Sequence, residues 1–440
     1  MTGLEYFTFG FGTMVGVGWV VLIDDWLARG GPAGATLAFL AGGVLLLPVA
    51  TTYGRMVREV PDAGGEAAYA EGVFPPFVGF AAAWTMVLSY AIVCPWEAVA
   101  VGNLLARVFP SMNVLPLYAV AGKTIFLPRL AAGLLLTALI AALNHRGIHQ
   151  SAAFQKAATL GLLALVAVFL ALGFARGSLV NAEPLFARQG GSGALLSILL
   201  VLQVVPYFLT GFESIGKESE EAHPDFDPRH FGRAIVSALT TGFLFYAAIV
   251  AAVALVFPWK ELVAGHLGTE AAFERAFSSR TIARLIVFAA FLSLVKIFNG
   301  NFVAATRLLF GLGRRGLVHP ALGRVHPTHA TPTAAIALMA VLTAGSAFLG
   351  DALLVPITEV GSLAVGVGWA ATCVAFLLRR RRGGDTSGRG AAVVGAAVSV
   401  AIVVMKVLPG VPGSFTRAEW IAFGAWSAAG ILLWLARRRA

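Results

Sequence analysis

The stretch VVPYFLTGFESIGKESEEAHP, residues 204–224, decides how the whole sequence is read. It starts inside an apolar run, is interrupted at Pro206 and again at Gly211, and sets Glu213 just behind the second interruption. Proline removes a backbone donor and clashes with the preceding turn, and glycine weakens a helix, so a helix passing through this segment is expected to unwind there. An earlier run has the same character: FGTMVGVGWVV, residues 11–21, holds Gly12, Gly16 and Gly18 in its middle. Close packing through small residues also explains glycines in an apolar helix. No strand precedes GVG, so it is not a dinucleotide-binding turn. Two interrupted apolar runs at corresponding places, the first and the sixth, point to a membrane transporter of inverted repeats with its site at the midplane. Unwound N–H groups and positive half-helix ends would there face an anionic group of a ligand.

Composition sets the frame for these runs. Of 440 residues, 58% are hydrophobic and 12% charged, and mean hydropathy is +0.83. A helix crosses the hydrocarbon core with about 20 apolar residues. Twelve candidate spans recur, at about 7–27, 34–54, 77–105, 128–144, 157–175, 193–215, 232–257, 283–311, 333–349, 353–377, 391–408 and 419–436. The first begins within seven residues, without a positive leader or small-residue cleavage site, and is expected to be retained. An even number of spans puts both termini on one side. With cytoplasmic termini, 19 of the 32 Lys and Arg fall inside, 12 outside and one, Lys296, between, including the inner runs 379–382 and 437–439. That excess places both termini in the cytoplasm of a multi-pass inner-membrane protein.

The formal charge of +10 is explained by loop cations at anionic headgroups. The basic residues are scattered instead of forming a stripe, so no nucleic-acid partner is expected. Cys94 and Cys373 lie in apolar runs and read as small core residues. His145 and His149 are spaced i, i+4 but lack further nearby ligands, so no metal or other cofactor is expected.

Four stretches then carry a family likeness: MVGVGW (14–19), YGRMVREVPDAGGEAAYAEGVFPPFVGFAAAW (53–84), FLTGFESIGKESEEAHP (208–224) and TRLLFGLGRRGLVHPALGRVHPTHATP (306–332). In this order and spacing the chain resembles the amino acid-polyamine-organocation superfamily of permeases, from the first span to about the tenth. The resemblance implies an all-α membrane protein with the leucine-transporter-like fold. In that fold one transmembrane domain holds twelve helices as a 5+5 inverted repeat, with helices 1 and 6 broken. Repeat one covers about 7–175, repeat two about 193–379, and two accessory helices about 391–436.

Carried over by position, the N–H groups of Gly16, Val17 and Gly18 would hold a substrate carboxylate, and carbonyls near Tyr207, Phe208 and Thr210, at the Gly211 break, would take the amino group. Tyr207 and Phe212 could wall the pocket, and Ser89, Tyr90 and Cys94 fall where relatives line the side-chain end. For each aromatic alone, packing against lipid or core is the favoured explanation.

One departure from the family pattern concerns charge. Several proton-driven relatives keep a lysine midway along helix 5, its ammonium replacing a sodium ion held between helices 1, 5 and 8. Here alignment of 144–163 puts Leu162 at that place, and 157–175 has no ionisable residue. Lys296, in SLVKIFNGN (293–301), instead stands alone in an uncharged run from 285 to 305. A charge at a membrane helix centre costs roughly 2.5–3.5 kcal/mol on insertion scales, and both ends lie too far away for snorkelling. The expectation is that the ammonium has moved to helix 8, fills the sodium cavity and exchanges a proton during transport. Glu213 could couple movement to protonation or cap the second half-helix. Glu97, behind Pro95, is placed nearer the outer interface, as a solvated or helix-pairing carboxylate; Asp24 and Asp25 end helix 1 in water.

The expected activity is therefore secondary active transport of an amino acid across the bilayer by alternating access, coupled to protons through Lys296. An exchanger, a polyamine or amine permease without proton coupling, and a transporter-like sensor stay open. An enzyme would need a nucleophile, base or metal ligands converging at one membrane face, and the short loops supply none.

Overall fold

The computed structural model describes the chain except for Asp385, Pro412 and 438–440 and the side chains of Ile148, His149 and 353–358. The described chain is helical apart from one short hairpin. Its first half runs α1 (Gly3–Met14), α2 (Gly18–Val21), α3 (Ile23–Glu59), α4 (Glu66–Ala70), α5 (Pro76–Ala91), α6 (Val93–Val108), the hairpin β1 (Pro116–Val120) and β2 (Lys123–Phe126), α7 (Leu127–His145) and α8 (Ile148–Arg176). The second half runs α9 (Gly191–Leu202), α10 (Val205–Phe208), a 3-10 turn Phe212–Glu221, α11 (Arg229–Val256), α12 (Trp259–Ala264), α13 (Thr269–Phe277), α14 (Arg280–Arg314), α15 (Thr333–Ala347), α16 (Leu354–Arg382), α17 (Arg389–Val407) and α18 (Arg417–Ala436).

Among the described residues ten helices are long and apolar enough to cross a membrane, or eleven if the pair Gly191–Leu202 and Val205–Glu221, bent by 41°, forms one span. The segment expected at 333–349 forms only the 15 residues of α15, short of the ~20 that a bilayer core requires.

Local chemistry explains where helices start and stop. Thr2 accepts from the Glu5 N–H while Glu5 accepts from the Thr2 N–H, a capping box that starts α1. Within α3 the chain turns at Gly31, at φ 67°, and Pro32 restarts the helix, because glycine takes this φ freely and proline suits a first helical turn. The third span is hitched at Ile92, between α5 and α6. Pro95 has no N–H to donate back into that turn.

The core sits where α3, α10 and α11 converge on the two breaks. Trp26 packs edge-on against Phe39 (4.9 Å) and Phe208 (4.8 Å), and Tyr246 stacks on Phe39 at 4.9 Å. The two ends of α14 differ. Beyond its C-terminal end Arg315 pairs with Asp62 (2.8 Å) and Glu71 (3.2 Å), Arg314 with Asp62 (3.0 Å) and Glu220 (2.5 Å), and further up Arg307 with Glu221 (2.6 Å). Deeper still Lys217 and Glu66, both fully buried, pair at 2.7 Å. Burial pushes the Asp62 carboxyl up, but its bonds to Arg315 and the Gly64 N–H, with Arg314 beside it, hold it below its ordinary range. The other end opens into a vestibule of about 560 Å³ lined by Asp24, Asp25, Arg29, Arg107 and Lys123.

Candidate functional site

α1 ends at Met14 and Val15 turns extended, at φ −96° and ψ 104°, before the helix resumes at Gly18. Breaking a helix here frees carbonyls inside the protein, where each needs a donor. α14 and α11 supply them. Lys296 Nζ donates to the carbonyls of Val15 (2.5 Å) and Gly12 (3.2 Å), and Asn301 Nδ2 to that of Thr13 (3.0 Å). Ser293 Oγ lies 3.0 Å from the Val15 carbonyl and 2.7 Å from that of Gly16, and the Tyr246 hydroxyl reaches the Met14 carbonyl at 3.4 Å. Lys296 is fully buried, and its ammonium also lies 5.4 Å from the centre of the Phe11 ring. The donors of the break are less engaged. Among the described residues no acceptor takes the N–H of Val17 or Gly18.

The second break mirrors the first chemically. α10 stops at Phe208, and Gly211 takes φ 129° and ψ −26°. A Cβ at Gly211 would come within 2.6 Å of the Met14 nitrogen and 2.7 Å of the Thr13 carbonyl carbon, so only glycine lets the two broken segments touch. The carbonyls of Tyr207, Phe208 and Thr210 accept no hydrogen bond from the described chain.

Between free donors on one segment and free acceptors on the other lies a cavity of about 20 Å³, room for about one water. Of the residues expected at a site, Gly16, Gly18, Tyr207, Phe208 and Thr210 line it. Val17 stands behind it, and Gly211 supports it from the second break. Phe212, fully buried, stacks on Trp369 at 5.5 Å. Ser89 donates to the Met86 carbonyl at 2.8 Å, Cys94 lies 3.6 Å from the Tyr90 carbonyl, and the Tyr90 hydroxyl donates to Glu213 at 3.1 Å, all off the cavity wall. Glu213 itself accepts from the Gly211 N–H at 3.1 Å, which is capping geometry. Leu162 is fully buried and has no charge to offer.

The sequence missed several neighbours. Val93, Trp96, Tyr246, Ile297 and Asn301 also line the cavity, and Trp96 and Phe208 separate it from the vestibule, since both face each space. Glu97 is a correction. Expected near an interface, it is 2% exposed and lies on the cavity wall, because α6 continues to Val108, three turns beyond it. One of its oxygens, Oε2, has no hydrogen-bond partner. Glu97 and Lys296 make no ion pair among the described residues.

A further polar group follows one turn along α14. Asn299 accepts from Asn144 Nδ2 (3.0 Å) and donates to Gln155 Oε1 (3.1 Å) and Ser151 Oγ (2.9 Å), fastening α14 to α7 and α8. Among the described residues no three His, Cys, Asp or Glu gather as a metal site; the His149 side chain is outside those residues.

Comparison with known proteins adds an independent line. The family described as amino acid permease matches residues 2–435. The chain is 23% identical to the methylthioribose transporter of Bacillus subtilis, over 97% of this chain and 90% of that one. It is 24% identical to a branched-chain amino acid permease of the same organism, over 92% and 81%. It is 26% identical to a low-affinity putrescine importer of Escherichia coli, over 74% and 72%.

Proposed function

The chain belongs to the amino acid permease family, a family of transporters and not of enzymes, and from that premise we propose that it is a secondary active transporter of amino acids working by alternating access. The relatives named for amino acid and putrescine transport support a substrate that is an amino acid or an amine. The proposed path runs through the cavity between the two breaks. The free N–H groups of Val17 and Gly18, with Gly16 beside them, receive a carboxylate, and the free carbonyls of Tyr207, Phe208 and Thr210 receive the α-ammonium. Twelve spans arranged as a 5+5 inverted repeat, with α15 as the short ninth, and both termini in the cytoplasm belong to the same proposal. So does the cytoplasmic membrane as its place.

One observation carries the coupling step. Lys296 is buried mid-helix, and its ammonium bridges two carbonyls that the first break sets free, as a bound cation would. Protonated, it ties α14 to α1; on losing the proton it keeps no charge with which to hold those carbonyls, and the inner half of helix 1 is released. In this scheme Glu213 caps the second break and Lys296 carries the proton. The test is uptake of labelled L-amino acids by proteoliposomes under an imposed pH gradient, with and without sodium. Accumulation that follows pH and ignores sodium is expected. Flux that requires sodium and ignores pH, or a diamine carried as fast as any α-amino acid, overturns the proposal.

A further inference from the structure

Asn301 stands on the cavity wall, held there by α14. Its side chain is fully buried. Both hydrogens of its Nδ2 are engaged, one by the Thr13 carbonyl at 3.0 Å and one by the Ile297 carbonyl at 2.9 Å. These bonds fix which way round the amide lies, because the flipped arrangement would set its oxygen against two carbonyl oxygens. The position is also tight. A Cβ on Gly300, the preceding residue, would collide with the Thr13 side chain, so α14 presses the amide against α1. The end of the amide left over is Oδ1, which is buried and takes no hydrogen bond among the described residues. A buried acceptor without a donor is costly, so a wall that keeps one is completed by a donor that the cargo brings.

The kind of donor follows by elimination. A cargo carboxylate has only acceptors and is repelled by Oδ1. An α-ammonium has acceptors of its own in the free carbonyls of Tyr207, Phe208 and Thr210. What remains is a donor carried by the side chain. The cavity, about 20 Å³, has to widen for any amino acid and widens least for a short one. We propose that Asn301 Oδ1 is a specificity-determining acceptor which selects α-amino acids with a short, hydroxyl-bearing side chain. The inference rests on the amino acid reading of the same cavity and narrows it. A site built to receive a hydroxyl rejects the methyl isostere because its acceptor is then left unpaired, and one such bond discriminates by about ten- to a hundredfold.

The test needs pairs of ligands in which a hydroxyl and a methyl exchange places. L-threonine against L-valine, and L-serine against L-α-aminobutyrate, are such isosteres. Binding is measured on the purified full-length protein by competition and thermal shift, with the other protein amino acids run alongside. The hydroxyl member of each pair should bind at least about tenfold more tightly. Asn301→Leu keeps the branched shape and removes the acceptor, so both ratios should fall to within about threefold. A purely structural role would lower all four affinities together and leave the ratios as they were. Where Asn301→Leu does not fold, Asn301→Gln, which keeps the amide and shifts its oxygen by one methylene, should lower the ratios likewise. Equal binding within each pair by the wild-type protein overturns the subsite and leaves amino acid transport standing. So does binding of other amino acids to the exclusion of these four. Ratios that persist in the variants put the hydroxyl elsewhere on the wall and overturn the assignment to Asn301. If no α-amino acid binds, both the subsite and the amino acid reading fall.

Discussion

Replacing Lys296 by methionine separates a coupling role from a structural one, because the two predict opposite patterns of stability and accumulation. Methionine keeps the length and packs adaptably. Of the two acceptors Lys296 serves, the Val15 carbonyl keeps Ser293 Oγ at 3.0 Å, whereas the Gly12 carbonyl is left with none. One orphaned buried acceptor costs about 1–3 kcal/mol. Against this, the substitution removes a buried ammonium that has no ion-pair partner among the described residues, which relieves a desolvation penalty of several kcal/mol. The terms nearly cancel, and Lys296→Met should fold and purify with stability within about 2 kcal/mol of wild type. Transport should respond quite differently. A gradient of one pH unit stores about 1.4 kcal/mol per proton, enough for about tenfold accumulation at one proton per substrate. In proteoliposomes with the membrane potential clamped at zero, wild type should reach that ratio. The variant should stop at equal concentrations inside and out while still exchanging labelled for unlabelled substrate. A Lys296→Met protein that accumulates tenfold refutes the coupling argument. A variant that loses more than about 3 kcal/mol, while its folded fraction accumulates normally, leaves the lysine as a brace.

Other perturbations test the geometry around it. Gly18→Leu puts a Cβ 2.9 Å from Phe208, whose ring is held by Trp26 and Tyr246, so ligand binding measured by thermal shift should disappear while membrane expression stays normal; unchanged affinity would return this glycine to simple packing. Gly211→Ala sets a side chain against the α1 backbone at φ 129°, where strain alone costs about 1–3 kcal/mol; it should lower thermal stability and abolish uptake, and a stable, active variant contradicts the contact. Asp62→Asn should destabilise by a constant amount between pH 5 and 8. A carboxyl held below its ordinary range contributes its full stability above the unfolded value near 4 and loses it as pH falls through the folded one. Melting curves of the two proteins should therefore converge only in stronger acid, and convergence already near pH 6 contradicts the pairing with Arg314 and Arg315.

The breaks were legible because Pro206, Gly211 and the glycines at 12–18 interrupt runs that are otherwise uniformly apolar, and local punctuation is what a one-dimensional pattern displays. Lys296 was legible for the same reason, as a lone charge in such a run. What the breaks bind to was not. Ser293, Asn301 and Tyr246 meet the first break across more than 230 residues of chain, and a serine, an asparagine or a tyrosine in an apolar helix carries no mark of its partner. The burial of Lys217 against Glu66 was hidden likewise, since both lie in segments whose composition suggests a wet loop. Glu97 lies deeper than its place behind Pro95 suggests, because α6 runs on to Val108, past the 105 at which the apolar run ends. Membrane depth cannot be counted along a helix that is hitched at Ile92 and runs on to Val108.

The cavity has unequal walls. Toward the vestibule the shared boundary is formed by the Trp96 and Phe208 rings. Toward the far end of α14 stand the ion pairs of Asp62, Glu66, Glu71, Glu220 and Glu221. Rotation of side chains takes picoseconds to nanoseconds where they are free, whereas collective displacement of helices takes microseconds to milliseconds. Under the proposed transport cycle the two walls would therefore open unequally, the packed Trp96 and Phe208 rings by local side-chain movement and the paired end only when the helices that its ion pairs tie together move apart. On that proposal, substitutions that loosen those ion pairs are expected to quicken uptake by proteoliposomes and to admit leak, while substitutions of the two rings are expected to alter capture more than pace.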